Sequence, residues 1–396
     1  MMNRRTGRGK SLLAAAFLAA ALAGCGGTSS VPATSPVGTP SATASFPPTA
    51  SASPSPTATP LPTPVPASPT PAPGSGIFTT VPTLFGDSDA PSLVKLRDGR
   101  VLVFEADIAG RPGTLWIFDP KQGRLSQIDL PAGWPSDPSL MPLPGGLVLL
   151  FNWPAGGDPQ VRLYDPSTSS LTPGGSLLGS FSGPPVLLST GRVLLPDSPD
   201  GAMRLYDPAT RRTRWLAKTH LLGDDSFPTL VALNDGRVLF AGGGDYESML
   251  GWKSVTAHSY VFDPNTNRLT RTGSMKQARA YAVPVPLADG RVLVVGGAAP
   301  DGTPLKTAEI WDPRTGKFTS TGSLPEAASG IGVCLADGRV LFMTGHSAQI
   351  YDPRTGKFTP TGGALGMVLD AVLLDDGRVL VATLSDFGVN LQLYWP

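Results

Sequence analysis

Cysteine is almost absent from this chain of 396 residues, which contains only Cys25 and Cys334. A disulfide framework of the kind that staples small secreted domains is therefore excluded. The 320 residues from Ile77 to Pro396 are instead enough to bury a large core. We expect the fold to be stabilised by burial of apolar surface.

Charge is also scarce, since only 15% of residues are charged and the formal net charge is +1. The basic residues at the N-terminus, which precede a predicted cleavage site, are Arg4, Arg5, Arg8 and Lys10. Their removal leaves 27 basic and 30 acidic residues, a mature charge of −3. Because no polybasic stripe remains, the sequence predicts no nucleic-acid partner.

Signatures of catalysis are missing as well. The chain has no Gly-x-Ser-x-Gly, no Cys-x-x-Cys and no His-Glu-x-x-His. Its histidines, His220, His258 and His346, are separated by at least 38 residues and fall in three different repeat units. The sequence accordingly predicts no metal, no cofactor and no catalytic residues.

The N-terminus lacks an apolar run long enough to cross a membrane. The run Ser11–Ala23 has 13 residues, whereas a spanning helix needs about 20. A basic segment precedes it, and Leu22-Ala23-Gly24-Cys25 follows, which resembles the lipobox of bacterial lipoproteins. The resemblance implies a signal peptide over residues 1–24, lipidation of Cys25, and an extracytoplasmic protein anchored to the cell membrane.

Not one charged residue occurs between Gly26 and Gly76, where proline alternates with serine, threonine and alanine. Such a segment has too little apolar surface to offset the entropy of ordering, and its prolines favour extended polyproline II. We expect residues 25–76 to form a lipidated cysteine followed by a disordered linker. Residues 77–396 are then expected to form one folded domain.

One β unit recurs seven times in that domain. Each copy has an apolar run, an Asp-Gly-Arg or related turn, a second apolar run and, in six copies, an aromatic-Asp-Pro turn. The shared glycine is Gly99, Gly146, Gly191, Gly236, Gly290, Gly338 and Gly377. These spacings of 39 to 54 residues are typical of propeller blades. Since both turns predict tight hairpins, each unit is predicted to be a four-stranded antiparallel meander.

The clearest copy contains, in order, Met275, Arg279, Asp289-Gly290-Arg291, Gly296-Gly297 and Trp311-Asp312-Pro313. This unit resembles the kelch repeat, particularly that of galactose-oxidase-like propellers. The resemblance implies an all-β, seven-bladed β-propeller. The last unit ends after its third strand, and Gly76–Thr80 is similar to Gly316–Ser320. We therefore expect the N-terminal strand to complete the final blade and remove an open edge.

Loops after the second and fourth strands of every unit should share one face of the propeller, and these loops vary in length and composition. Their mixture of aromatic and carboxylate side chains suits a glycan or protein partner. The candidate binding residues are Trp134, Trp153, Asp224, Asp225, Asp245, Tyr246, Trp252, Arg279 and His346. Arg279 also occupies the kelch Met-x-x-x-Arg position, for which the resemblance implies a structural role.

Three functional classes stay open on this scaffold. We predict a monomeric, non-catalytic binding module, anchored to the membrane by its lipid, that presents the variable face to a glycan or protein partner. The alternative is an enzyme, either a carbohydrate-active hydrolase or lyase, or a divergent galactose-oxidase-like oxidase. A purely architectural role in the cell envelope is the third class. Cys334 is expected to be a small buried residue on the first strand of the sixth unit.

Overall fold

A computed structural model describes residues 76–81, 91–105, 113–135, 138–152, 160–176, 185–196, 203–216, 228–247, 251–345, 347–363, 366–385 and 388–396. The predicted signal peptide, Cys25 and all of the predicted linker except Gly76 lie outside these ranges. Within them, no helix has the length and apolarity needed to span a membrane.

The described residues form 30 β-strands. In chain order these are β1 (Ile77–Val81), β2 (Ser92–Lys95), β3 (Val101–Glu105), β4 (Thr114–Asp119), β5 (Arg124–Ile128), β6 (Ser139–Pro142), β7 (Val148–Asn152), β8 (Gln160–Asp165), β9 (Ser170–Ser176), β10 (Val186–Leu187), β11 (Val193–Pro196), β12 (Met203–Asp207), β13 (Arg212–Trp215), β14 (Thr229–Ala232), β15 (Val238–Ala241), β16 (Gly244–Glu247), β17 (Gly251–Val255), β18 (Ser259–Asp263), β19 (Arg268–Arg271), β20 (Val283–Pro286), β21 (Val292–Val295), β22 (Thr307–Asp312), β23 (Lys317–Ser323), β24 (Ile331–Cys334), β25 (Val340–Met343), β26 (Ala348–Asp352), β27 (Lys357–Pro360), β28 (Met367–Leu373), β29 (Val379–Ser385) and β30 (Gly388–Trp395).

Seven sheets of four antiparallel strands make up the domain, which confirms the predicted seven-bladed β-propeller. Blades 1 to 3 are β2–β5, β6–β9 and β10–β13, and blades 5 and 6 are β20–β23 and β24–β27. Blade 4 contains β14, β15, β18 and β19, with β16 and β17 forming a separate hairpin between its second and third strands. The first strands of neighbouring blades contact one another, so they surround the central axis.

Blade 7 is closed by the N-terminal strand, as predicted. Its strand order is β28, β29, β30 and β1, and β1 pairs with β30 from Ile77 opposite Trp395 to Val81 opposite Leu391. The ring of Phe78 packs on Tyr394 with centroids 4.9 Å apart. The two ends of the domain are therefore joined in one sheet, and the last blade has its full set of strands.

Both predicted turns use the left-handed backbone conformation. In all seven Asp-Gly-Arg-type turns the glycine has φ between 77° and 90°. In the second turn this conformation occurs at Gly123, Asn267, Gly316 and Gly356. Ser169 and Arg211 also adopt it, with φ of 53° and 57°, which their residue types did not indicate.

Seven apolar clusters hold the ring together, one at each interface between neighbouring blades. The second strand of a blade is covered on both faces by adjacent blades, and Val292–Val295 of β21 is accordingly buried at every residue. This burial explains why the second strands are continuous apolar runs instead of alternating ones. Cys334 is buried on β24, the first strand of blade 6, as expected.

A Thr-Gly pair at the end of the outermost strand fastens three blades to the blade that follows. We call this pair the latch; it occurs as Thr272-Gly273, Thr321-Gly322 and Thr361-Gly362. The latch glycine donates its N–H to a carbonyl of the next blade, with N···O distances of 2.7 Å to Gly316, 2.8 Å to Gly356 and 2.8 Å to Gly76. The threonine hydroxyl lies 3.0 to 3.4 Å from the same carbonyl in each case. Backbone hydrogen bonds therefore join the outer rims of blades 4 to 7.

Between blades 3 and 4 the sequence carries Leu216-Ala217 where the latch has Thr-Gly. Phe262 of blade 4 stands where the latched blades have a hydrogen-bonding Trp or Tyr, as with Tyr351, whose hydroxyl contacts Thr321 at 2.7 Å. Leu216 and Phe262 pack in the same apolar cluster. This pair of blades is therefore joined at the rim by apolar contact, without the latch hydroxyl.

Candidate functional site

The two faces of the propeller differ in what their side chains do. Turns after the first and third strands of each blade share one face, here the turn face. The loops after the second and fourth strands share the other, the loop face. On the turn face the arginines pair with the aspartate two residues earlier, as Arg100 does with Asp98 at 2.7 Å. The same pairing recurs for Arg237, Arg291, Arg314, Arg339, Arg354 and Arg378.

These pairs neutralise the turn face internally. Partial burial works against ionisation of Asp98, but hydrogen bonds from Arg100 outweigh it and lower the pKa of the carboxyl. Asp235, Asp289 and Asp376 have lowered pKa values for the same reasons. Since seven arginines are each engaged by a carboxylate of their own turn, these turns offer little free charge to a ligand.

The loop face carries an added hairpin in blade 4. Strands β16 and β17 pair antiparallel, with Gly244 opposite Val255, a register shift between Asp245 and Tyr246, and Tyr246 opposite Trp252. The hairpin therefore brings three of the predicted binding residues into one two-stranded element. Asp245 is partly buried there, and its N–H lies 3.4 Å from the hydroxyl of Ser254.

The base of this hairpin is fixed by backbone bonds to the segment around Arg279. Gly243 N donates to Arg279 O at 3.0 Å, and Arg279 N donates to Thr256 O at 3.2 Å. Met275 N donates to Ala257 O at 2.9 Å. The hairpin is thus built on a hydrogen-bonded platform, which is the arrangement that holds a binding loop in one position.

Arg279 is not available to a ligand, which corrects its place among the binding residues. Its side chain is fully buried, and its guanidinium donates to Glu309 Oε1 at 3.0 Å, to Gly296 O at 2.7 Å and to Thr307 O at 3.0 Å. Glu309 in turn accepts the N–H groups of Lys276 and of the residue that follows it, at 2.8 and 3.1 Å. Arg279 therefore has the structural role that its kelch position implies, beneath the loop face.

Trp134 is likewise a packing residue. Its ring lies 5.6 Å from Phe104 and 5.1 Å from Tyr164, edge-on to the latter, within the cluster between blades 1 and 2. Because the indole is held between two buried rings, it does not stand out as an aromatic binding platform. Of the other predicted binding residues, Trp153, Asp224, Asp225 and His346 lie outside the described residues.

Asp370, a carboxylate near the central axis, was not among the residues predicted from the sequence. Asp370 lies on β28, the innermost strand of blade 7, beside a register shift. Its Oδ2 accepts Leu93 N of blade 1 at 2.7 Å, and its Oδ1 accepts Ala371 N at 2.7 Å, so it bridges two inner strands. Protein surrounds the carboxyl although part of the residue stays accessible. Burial raises its pKa to about 7, against the opposing effect of the two N–H donors.

The sequence did contain a signal for Asp370, because an acid interrupts the apolar run of Met367–Leu373 on a first strand. The sequence also contained a signal for a basic outer strand in blade 3, because Arg212-Thr213-Arg214-Trp215 has two arginines and no acid. The recurring Thr-Gly after the outer strands was a third such signal, and it marks the latch.

The geometry described above defines a seven-bladed β-propeller with kelch-like blades, and comparisons with known proteins agree. Residues 279–325, in blade 5, match the family model described as "Kelch motif". No curated protein matches the chain. Among solved structures, the chain is similar to a novel fungal alcohol oxidase with catalytic diversity among the AA5 family, in complex with copper.

That oxidase shares 15% identity with this chain, with a TM-score of 0.62, over 81% of this chain and 75% of the oxidase. Identity this low shows a common fold and nothing about activity. Matches extend to 813 chains of solved structures, so the fold is widely shared. The described residues contain no group of three or more His, Cys, Asp or Glu side chains placed to hold a metal ion.

Proposed function

We propose that this protein is an extracytoplasmic binding module, anchored through lipidated Cys25, whose loop face binds a glycan. The observation that carries the proposal is the β16–β17 hairpin, an addition to the blade that rests on the platform of Arg279 and Glu309. It pairs Tyr246 with Trp252 in register and carries a carboxylate at Asp245. Aromatic and carboxylate residues on one hairpin, whose base is fixed by backbone hydrogen bonds, suit the apolar faces and hydroxyls of sugars.

A glycan-array measurement with the full chain tests this proposal. Replacing residues 245–254 by Asn-Gly, a turn that closes two-residue hairpins, should abolish binding of neutral glycans while leaving the unfolding midpoint unchanged. The matched control is Glu326→Gln on the exposed segment after blade 5, which should bind as the unaltered chain does. Equal binding by the shortened variant would contradict the proposal. The proposal would also be contradicted if the chain captured a protein partner and bound no glycan.

The anchor is tested separately by Cys25→Ser. Without the thiol no diacylglyceryl group can be attached, so the variant should appear in the medium instead of the membrane fraction. Retention of this variant in membranes would contradict the lipid anchor and would leave the glycan proposal intact, since the two rest on different residues.

Asp370 favours a second candidate function, a carbohydrate-active hydrolase or lyase. A carboxyl with a pKa near 7 on an inner strand has the protonation behaviour of a general acid or base. Release of reducing ends from a polysaccharide, lost in Asp370→Asn, would establish this candidate and would overturn the non-catalytic proposal. Absence of turnover across the glycans that bind would support the binding module.

A further inference from the structure

The cationic side chains on the outer strands of blades 3 and 4 differ from those on the turn face. Arg212 and Arg214 of β13 and Arg271 of β19 are all exposed. Among the described residues, none of the three has a hydrogen bond or ion pair through its guanidinium. This contrasts with the seven turn-face arginines that are paired with a carboxylate of their own turn.

Strand register places these three arginines on facing sides of one cleft. Arg214 lies opposite Leu205, and Leu205 packs in the cluster between blades 3 and 4. Since residues two apart on a strand point the same way, Arg212 shares the side of Arg214. On blade 4, Arg271 lies opposite Tyr260, which belongs to the same cluster and so faces blade 3. The three arginines therefore lie on the sides of β13 and β19 that face each other between these blades.

Two further features bear on how the outer strands and their charges are held at this rim. The latch is missing here, where the sequence has Leu216-Ala217, so the outer strands are not drawn together by its hydroxyl. Asp207 lies on the same side, opposite Arg212, and its carboxylate accepts the N–H groups of Ala209 and Thr210 at 2.9 and 3.3 Å. The three arginines outnumber this one carboxylate, so a positive charge remains. Like charges facing one another across a cleft repel, and an anion would relieve that repulsion.

The residue next to Arg214 suggests what kind of anion fits. Trp215 is 59% exposed, and the guanidinium of buried Arg204 lies 4.9 Å from the ring centroid. Because Trp215 lies opposite Arg204, which in turn lies opposite Leu195 of the cluster between blades 2 and 3, it points to the other side of β13 from Arg214. Its indole is held against that side by a cation–π contact, as a flat platform at the outer edge of the blade. A flat ring suits stacking against a sugar, whereas insertion into a membrane needs an apolar side chain that projects from the surface.

We propose that Arg212, Arg214 and Arg271 in the cleft, together with Trp215 on the other side of β13, form a binding surface for an anionic polysaccharide that crosses this outer strand. Carboxylates of the polymer pair with the arginines in the cleft, and a sugar ring stacks on Trp215 at the outer edge of β13. This surface lies on the outer strands and does not include the hairpin of the loop face. Loss of binding at one of the two surfaces should therefore leave binding at the other unchanged.

Binding of the full chain to polygalacturonate tests this assignment, with neutral dextran as the reference polymer. Arg212→Gln/Arg214→Gln should weaken binding about ten-fold and reduce its dependence on salt, because two ionic contacts are removed. Trp215→Ala should weaken binding several-fold and leave the salt dependence unchanged, because stacking releases no counterions. The unfolding midpoint should stay unchanged in the double arginine variant, since both side chains are exposed, and should fall slightly in Trp215→Ala, which loses the contact with Arg204.

The matched control is Arg124→Gln/Arg268→Gln, which removes the same charge from exposed outer-strand positions that do not face the cleft. This control should bind polygalacturonate as the unaltered chain does. An equal loss in the control would overturn the site, because net charge alone would then explain binding. Equal affinity for dextran would overturn it as well. Binding only to vesicles of phosphatidylcholine and phosphatidylglycerol would overturn it in favour of a membrane surface.

Discussion

Replacement of the latch glycine in blade 5 is the sharpest structural test, because the structure assigns its cost to one contact. In Gly322→Ala, the added Cβ would lie 2.3 Å from the carbonyl oxygen of Gly356. Backbone must move to remove that overlap, which costs about 1 to 3 kcal/mol, as other cases of overpacking do. The hydrogen bond from Gly322 N to the same oxygen, 2.8 Å long, is lost with it, at about 1 kcal/mol.

We therefore expect Gly322→Ala to lower the free energy of unfolding by about 2 to 4 kcal/mol. Urea unfolding followed by tryptophan fluorescence measures this as a lower midpoint with an unchanged slope. Gly345→Ala in blade 6 is the control, since no heavy atom outside its chain neighbours lies within 4 Å of its added Cβ. The free energy of unfolding of this control should stay within about 0.5 kcal/mol of that of the unaltered chain. Equal stabilities for the two variants would refute the latch.

Two further changes test the buried charges. Glu309→Gln leaves Arg279 buried without its counter-charge and should lower the free energy of unfolding by about 3 to 5 kcal/mol, measured in urea. The control, exposed Glu326→Gln, should change this free energy by less than about 0.5 kcal/mol. Comparable losses in the two variants would contradict the ion pair. The pKa of Asp370 is raised from 3.8 to about 7, so the folded state binds its proton more tightly than the unfolded state does. The free energy of unfolding should therefore fall as pH rises from about 4 to 7 and then level off. The fall attributable to Asp370 is about 4 kcal/mol, and Asp370→Asn should flatten it; an unchanged pH profile in that variant would contradict the raised pKa.

Much of the fold could be predicted because its signals are local and repeated. The glycine of Asp-Gly-Arg needs a left-handed backbone wherever it occurs, and seven copies at blade-like spacing define the architecture. Closure could be predicted for the same reason, since Phe78 occupies the position of Phe318 and each lies opposite a third-strand aromatic residue, Tyr394 or Trp311.

The candidate site was less predictable, because position in a loop does not determine exposure. Arg279 and Trp134 both fall in variable segments, yet the first pairs with Glu309 from a distant strand and the second packs between rings from two blades. Such partners are far apart in sequence, so no local pattern reveals them. The cleft between blades 3 and 4 was missed for a related reason: Arg214 and Arg271 come together only when strand register and blade order are known.

The closed ring depends on the pairing of β1 with β30, since β1 completes the last blade. Hydrogen–deuterium exchange of the full chain measures this pairing directly. The N–H groups of Ile77–Val81 that face β30 should be protected to the same degree as those of Leu391–Trp395. Exchange of residues 77–81 at the rate of an unstructured peptide, with β30 still protected, would contradict the closed ring.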